Sequence, residues 1–291
     1  MSTMPMADVA AFQILGPRRR QEDAGLHVRH GHGRLLVVAD GMGGEPAGDV
    51  ASMSAVLGFE KGFGVPPDEP EDNIRWAIRF MDGLRGALDG MAEALARGNG
   101  EDGMATTLAA VWVDPDGMRW LSVGDSGIWR SDVVGHRSPT RMNGRHGEGN
   151  RVDSGLIANA GPFRAGSLEA QFCVTEIDLH PGPFDLSPGR LIFVGSDGMD
   201  VLGHMDIPGG WLQREPGLRG VHMPVEWQEA FRDMNPRDFL SHVESVLTAG
   251  AANDNTTAIA LRTPVGRSKW AEEYVPVSDA PEREFLGAVS D

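Results

Sequence analysis

Two short apolar runs in this chain end on the same punctuation. Residues 33–39 (GRLLVVA) run into Asp40-Gly41, and residues 191–195 (LIFVG) run into Ser196-Asp197-Gly198. Runs of this length, rich in Val and Leu and closed by Asp-Gly, read as buried strands. They are strand-sized and far short of the ~20 apolar residues that a membrane helix needs. A chain with such strands must cover them, so the remaining segments have to supply packing layers.

The other segments supply two kinds. Residues 47–62 are helix-like with small residues on several faces. Residues 71–97 show the clearest helical period, with Ile74, Ile78, Met81, Leu84, Leu88, Met91 and Leu95 at three- and four-residue steps. Then TTLAAVWVD, a turn at Pro115-Asp116-Gly117 and MRWLSVGDSGIWR read as a hairpin with a longer loop. Residues 135–170, rich in Gly, Arg, Asn and His, read as an irregular flap-like insert. Residues 238–247 are a helix candidate, residues 256–261 a last strand, and the tail after Thr263 is expected outside the core. Strands and helices come in blocks, without repeats, which favours an α+β layered fold over a doubly wound one.

Composition narrows the partners. A net charge of -16 argues against nucleic acid, which needs a basic stripe, and against anionic membrane surfaces. A phosphate can still bind if a metal supplies local positive charge. The one cysteine, Cys173, permits no intrachain disulfide and no thiolate zinc cluster, and an unpaired thiol suits a reducing cytoplasm. The first residues show no basic and apolar signal pattern, so a cytoplasmic protein is expected.

Acidic residues mark the candidate chemistry. Asp40 and Asp197 close buried strands, Asp125 follows Val123-Gly124, and Asp254 precedes the strand TTAIAL. Carboxylates on rigid strand ends can converge, and their hard oxygens suit Mg²⁺ or Mn²⁺. Each Asp-Gly taken alone is a turn. Asp40-Gly41-Met42-Gly43-Gly44 is neither a P-loop nor a dinucleotide fingerprint. Arg18-Arg19-Arg20 would serve either as a solvated charge cluster or, near a metal, as a bidentate fork for phosphate. His27, His30 and His32 flank a Gly-rich turn and read as exposed imidazoles of a hairpin tip. Ser126 lacks a nucleophile elbow.

In order along the chain, RRRQED (18–23), VVADGMGGEPAGDVAS (37–52), GMATTLAAVWV (103–113), LSVGDSGIWR (121–130), FVGSDGM (193–199) and NDNTTAIAL (253–261) resemble the type 2C (PPM-type) metal-dependent serine/threonine protein phosphatases, in a bacterial style. The resemblance implies a four-layer α-β-β-α sandwich of two antiparallel sheets flanked by helices. It implies a phosphatase domain over 1–263 with the insert at about 135–170, and a C-terminal tail over 264–291. It implies hydrolysis of phosphoserine or phosphothreonine by a metal-bridging hydroxide, with two Mn²⁺ or Mg²⁺ ions and a weaker third. Asp40 would bridge both metals, Gly41 would add a backbone carbonyl, and Asp197 and Asp254 would hold the other metal. Glu22 and Asp23 would orient waters, Arg18 would grip the phosphate, and Asp125 would serve the third ion. The partner would be a phosphorylated protein, opposing a serine/threonine kinase. Gly127 stands where the family has Arg or Lys, Met42 replaces the His of eukaryotic members, and Val201 takes the place of a family acidic residue, with Asp200 one position early. A catalytically weak or inactive regulatory or binding module on the same fold is the alternative, and a metal-dependent nuclease would need a basic groove that the charge denies.

Overall fold

The computed structural model describes residues 9–31, 33–42, 47–67, 70–130, 140–144, 147–148, 151–152, 155–158, 176–184, 189–199, 235–263 and 283–287. Two antiparallel sheets form the centre. The first combines β1 (Val9–Ile14), β14 (Thr256–Arg262), β13 (Leu191–Gly195), β7 (Gly127–Arg130) and β8 (Thr140–Arg141), in that order. The second runs β12 (Asp178–Phe184), β6 (Gly117–Val123), β5 (Leu108–Asp114), β3 (Gly33–Asp40), β2 (Asp23–His30) and β15 (Arg283–Leu286). Smaller pairs join β4 (Met104–Thr106) to β11 (Leu156–Ala158) and β9 (Gly147–Glu148) to β10 (Arg151–Val152). Helices α1 (Gly48–Phe63) and α2 (Asn73–Ala96) cover the second sheet, and α3 (Pro236–Val246) covers the first.

Strand alternation explains the layers. In β3, Leu36 and Val38 point at Ile192, Val194 and Ile259 of the other sheet, while Leu35, Val37 and Ala39 point at the helices. Both faces are dry, which is why β3 reads as an unbroken apolar run instead of an alternation. At ~1.5–3 kcal/mol for each large apolar side chain removed from water, this central strand fastens three layers at once. The expected α-β-β-α sandwich is what forms.

Helices α1 and α2 lie close because glycines line their seam. A Cβ on Gly58 would sit 2.2 Å from the Gly86 carbonyl oxygen, and one on Gly62 2.2 Å from that of Asp82. The small residues of α1 therefore serve helix contact. Asp72 caps α2 by accepting from the Arg75 amide at 2.8 Å, and Asn235 caps α3 with Pro236 behind it.

Several sequence readings need correction. The period along α2 is buried only in its later part: Leu84 and Met91 are buried and Leu88 and Leu95 pack partly against the core, whereas Ile74, Ile78 and Met81 are exposed and Trp76 and Phe80 take the buried side of the first turns. The β5–β6 hairpin is tight, since Asp114 pairs with Gly117 and only Pro115-Asp116 turn the corner. The stretch read as its second strand is two strands, β6 and β7, in different sheets. Within the tail, β15 adds an edge strand beside β2, with Arg283 paired to Glu60 at 2.6 Å. His27 is buried, 6% exposed, with its Nε2 3.1 Å from Arg34 Nη1. Strands β1 and β12 were not anticipated. Of the insert, the described parts are β8 to β11 and short flanks; Cys173, Asp200 and Val201 lie outside the described residues.

Candidate metal centre

The acidic residues arrive from separate strands at one end of the sandwich. Asp40 ends β3 and stands directly across the ladder from Asp23, which begins β2. Asp197 lies two residues past β13, whose last residue Gly195 pairs with Ala258 of β14 and Gly127 of β7. Asp125 sits where the chain leaves β6 in one sheet and enters β7 in the other. Asp254 precedes β14, the neighbour of β13 and β1. Strand ends with fixed register hold these side chains in place, as a preorganised site requires.

Hydroxyls and amides frame the group. Ser196 Oγ donates to Asp23 Oδ2 at 2.8 Å and accepts from the Thr257 amide at 3.1 Å. The Asp40 amide donates to Thr107 Oγ1 at 3.0 Å, and the Asp40 carbonyl accepts from Thr106 Oγ1 at 2.8 Å and from the Thr107 amide at 2.9 Å. Thr107 Oγ1 lies 2.6 Å from Ser126 Oγ, tying the Asp40 turn to the Asp125 turn. Arg141 Nη2 donates to the Asp125 carbonyl at 2.7 Å. The Gly41 amide donates to the Glu22 carbonyl at 3.0 Å, and a Cβ at Gly41 would meet the Gly48 carbonyl oxygen at 2.4 Å, so no larger residue fits. Ala47, which precedes α1 here, holds a left-handed φ of 51°, a rare conformation for a residue with a Cβ.

Electrostatics divide the residues into an inner group and a rim. Inside, burial raises the Asp40 carboxyl well above the ordinary carboxylate range, and the charges of Asp23, Asp197 and Asp125 add to it, with a hydrogen bond to Asp197. Burial likewise pushes Asp23 up to about 7, although hydrogen bonds from Ser196, Asp40 and Thr257 pull the other way. Like charges in a shared low-dielectric pocket cannot all ionise without compensation. At the rim, the Arg18 guanidinium donates to Asp254 Oδ2 and also lies in the fields of Glu22 and Asp40. Glu22 is raised mainly by burial, opposed by Arg18 and reinforced by Asp49 and Asp254. The Glu22 amide donates to Asn255 Oδ1 at 2.9 Å, and Ser52 Oγ donates to the Glu22 carbonyl at 2.6 Å.

Arg18, Glu22, Asp23, Asp40, Asp125, Asp197 and Asp254 thus share one region, in which Arg18 engages Asp254. Among the described residues no group of three or more acidic, His or Cys side chains is yet set to hold a metal ion. Asp40 hydrogen-bonds Asp197, and Arg18 donates to Asp254. The donor set nonetheless fits a hard divalent ion. Every available ligand is oxygen, Asp40 and Asp197 stay partly open to solvent, and the buried Asp23 Oδ1 meets no N–H or hydroxyl donor among the described residues. Sequence reasoning missed Asp49 and the hydroxyls of Thr107, Ser126 and Ser196. Asp49 stands in the first turn of α1, where acids are favoured for the helix alone, so nothing marked it as a neighbour of Glu22.

Residues 18–148 match the family model for protein phosphatase 2C. The fold is shared with the PPM Ser-Thr phosphatase MsPP from Mycobacterium smegmatis, solved with cacodylate, at 18% identity and TM-score 0.55, covering 90% of this chain and 100% of that one. It is shared with PppA, described as a key regulatory component of T6SS in Pseudomonas aeruginosa, at 23% identity and TM-score 0.55, covering 89% and 98%. It is also shared with the catalytic domain of PstP, solved with 2 manganese ions, at 17% identity and TM-score 0.55, covering 89% and 99%. No curated protein matches the chain.

Proposed function

We propose that this chain, with a protein phosphatase 2C match over residues 18–148 and the fold of the bacterial PPM phosphatases, hydrolyses phosphoserine and phosphothreonine in proteins. The observation that carries this reading is the acidic group itself. Asp40, Asp23 and Asp197 come from separate strand ends into hydrogen-bonding reach around Asp40, with Asp125 adding its field, a concentration of negative charge that raises both Asp23 and Asp40. Bound there, Mn²⁺ or Mg²⁺ would balance this charge, acidify a water and polarise the phosphate oxygens. Asp40, with the Gly41 carbonyl, and Asp197 with Asp254 are the residues that would hold two ions, and Asp125 would hold a weaker third.

The remaining roles belong to the chain. Glu22 and Asp23 would accept hydrogen bonds from waters held at the centre. Arg18, which donates to Asp254, would offer its fork to the equatorial phosphate oxygens and offset charge that builds there. The attacking oxygen comes from water, since Ser126 is spent on Thr107 and no phosphoenzyme is needed. Met42 offers no proton, so the leaving alkoxide takes one from water. A serine/threonine kinase would make the substrate.

Cleavage of p-nitrophenyl phosphate tests the reading: turnover requires Mn²⁺ or Mg²⁺ and is lost in Asp197→Asn. Mn²⁺ binding without turnover would favour the regulatory-module alternative.

A further inference from the structure

We infer that the outer face of α2 is a self-association surface, on which two copies of this chain pair with their α2 helices antiparallel. The starting observation is the apolar stripe that the fold leaves uncovered. Ile74 is 71% exposed, Ile78 47% and Met81 41%, although α2 already has a complete buried face in Trp76, Phe80, Leu84 and Met91. Steps of four and three residues put the three side chains in one row, the spacing of a two-helix seam. A groove of about 520 Å³ opens between this row and Pro181 of β12, wide enough for side chains of a second helix.

The charges beside the row choose the occupant. Arg75 and Asp82 are exposed along one flank of the row, and Arg79 between them is paired with Glu71. Arg75, Asp82 and Arg85 have no ion-pair partner among the described residues. Laid antiparallel on a copy of itself, the helix sets Arg75 against the partner's Asp82 and Asp82 against the partner's Arg75, two equivalent pairs about one midpoint between Ile78 and Arg79. A parallel copy would oppose like charges, and a partner of uniform sign would be repelled by half of the row. The pattern is complementary to its own reverse, which is the requirement of an isologous two-fold contact.

Position agrees. Helix α1 starts beside Gly41, and α2 returns antiparallel to it, with Gly58 packed on Gly86 and Gly62 on Asp82. Ile74, Ile78 and Met81 therefore lie on the first half of α2, away from the acidic group, and pairing leaves both clefts open.

Sedimentation of the full chain over ~1–100 µM at low salt tests this, with p-nitrophenyl phosphate turnover measured in parallel. Three large apolar side chains from each copy make a small contact, so a concentration-dependent monomer–dimer equilibrium is expected. Arg75→Asp and Asp82→Arg should each weaken dimerisation at least ~10-fold, since each turns two symmetric attractions into repulsions, and the double variant should return to within ~3-fold of the parent. Ile78→Glu should be monomeric with an unchanged melting temperature, and turnover per chain should be unaffected in all four. A monomer at every concentration would overturn the inference, including one whose Ile78 resists chemical labelling because another segment of the same chain covers it. A dimer for which the double variant shows no rescue would overturn it as well.

Discussion

Asp40 and Asp125 belong to the same acidic group but are held differently. Asp40 stays partly open to solvent and touches both Asp23 and Asp197, whereas Asp125 is 3% exposed at a turn whose carbonyl Arg141 secures. Asp40→Asn should therefore cut kcat for p-nitrophenyl phosphate by ~10³-fold or more and Asp125→Asn by ~10-fold, because on the proposed reading only Asp40 would serve both ions. Equal losses at saturating Mn²⁺ would contradict that ranking. Arg18→Ala should raise KM more than it changes Mn²⁺ affinity, read from steady-state kinetics beside calorimetry. His27 gives a prediction outside the site. Burial, then the neighbouring Arg34 charge, lowers its pKa to about 3 from the ordinary 6.5. The unfolded chain binds a proton below ~6.5 that the folded chain refuses, so stability falls as pH drops from about 6.5 toward 3. His27→Gln should flatten the melting temperature between pH 6.5 and 4, and parallel curves for parent and variant would contradict this.

At the scale of elements, the readings that succeeded had a strong local cause. Strands β3 and β13 are buried on both faces and so appear as unbroken apolar runs, and the Asp-Gly that closes each is where the backbone turns. The failures had causes too. Nothing local tells β6 and β7 that Gly124-Asp125-Ser126 passes from one sheet to the other, yet that crossing is what delivers Asp125. Strand β12 carries Pro181 and Pro183, residues that argue against a strand, and is tolerated because it is an edge with a register shift between His180 and Phe184. On α2 the aliphatic period tracks the core only from Leu84 onward, while toward the start of the helix the buried side is marked by Trp76 and Phe80 and Ile74, Ile78 and Met81 face out. The glycine seam with α1 leaves no room: Gly86→Ala should destabilise the protein by ~1–3 kcal/mol in urea unfolding, since its Cβ would meet the Gly58 carbonyl oxygen at 2.2 Å. An unchanged midpoint would mean the helices separate freely.

At the scale of the whole molecule, the order of motifs carried the family resemblance, and with it the two-sheet sandwich, further than any single segment could. The arrangement of the acids was less legible. Sequence order names Asp40, Asp197 and Asp254 as ligands, but not that Asp254 rests on Arg18, nor that Asp23 is packed against Asp40 and Ser196. Those contacts depend on which strand ends meet, a property of sheet order. No helix among the described residues is long and apolar enough to cross a membrane.

The central claim is that acids from distant strand ends form one divalent-cation centre that supports phosphate ester hydrolysis. Calorimetric titration of the metal-stripped protein with Mn²⁺, with p-nitrophenyl phosphate turnover followed at each addition, tests it most directly. The account predicts two resolvable sites, activity rising with their occupancy, and loss of both binding and turnover in Asp40→Asn. Full turnover in the stripped protein, or Mn²⁺ binding undiminished in Asp40→Asn, would contradict it.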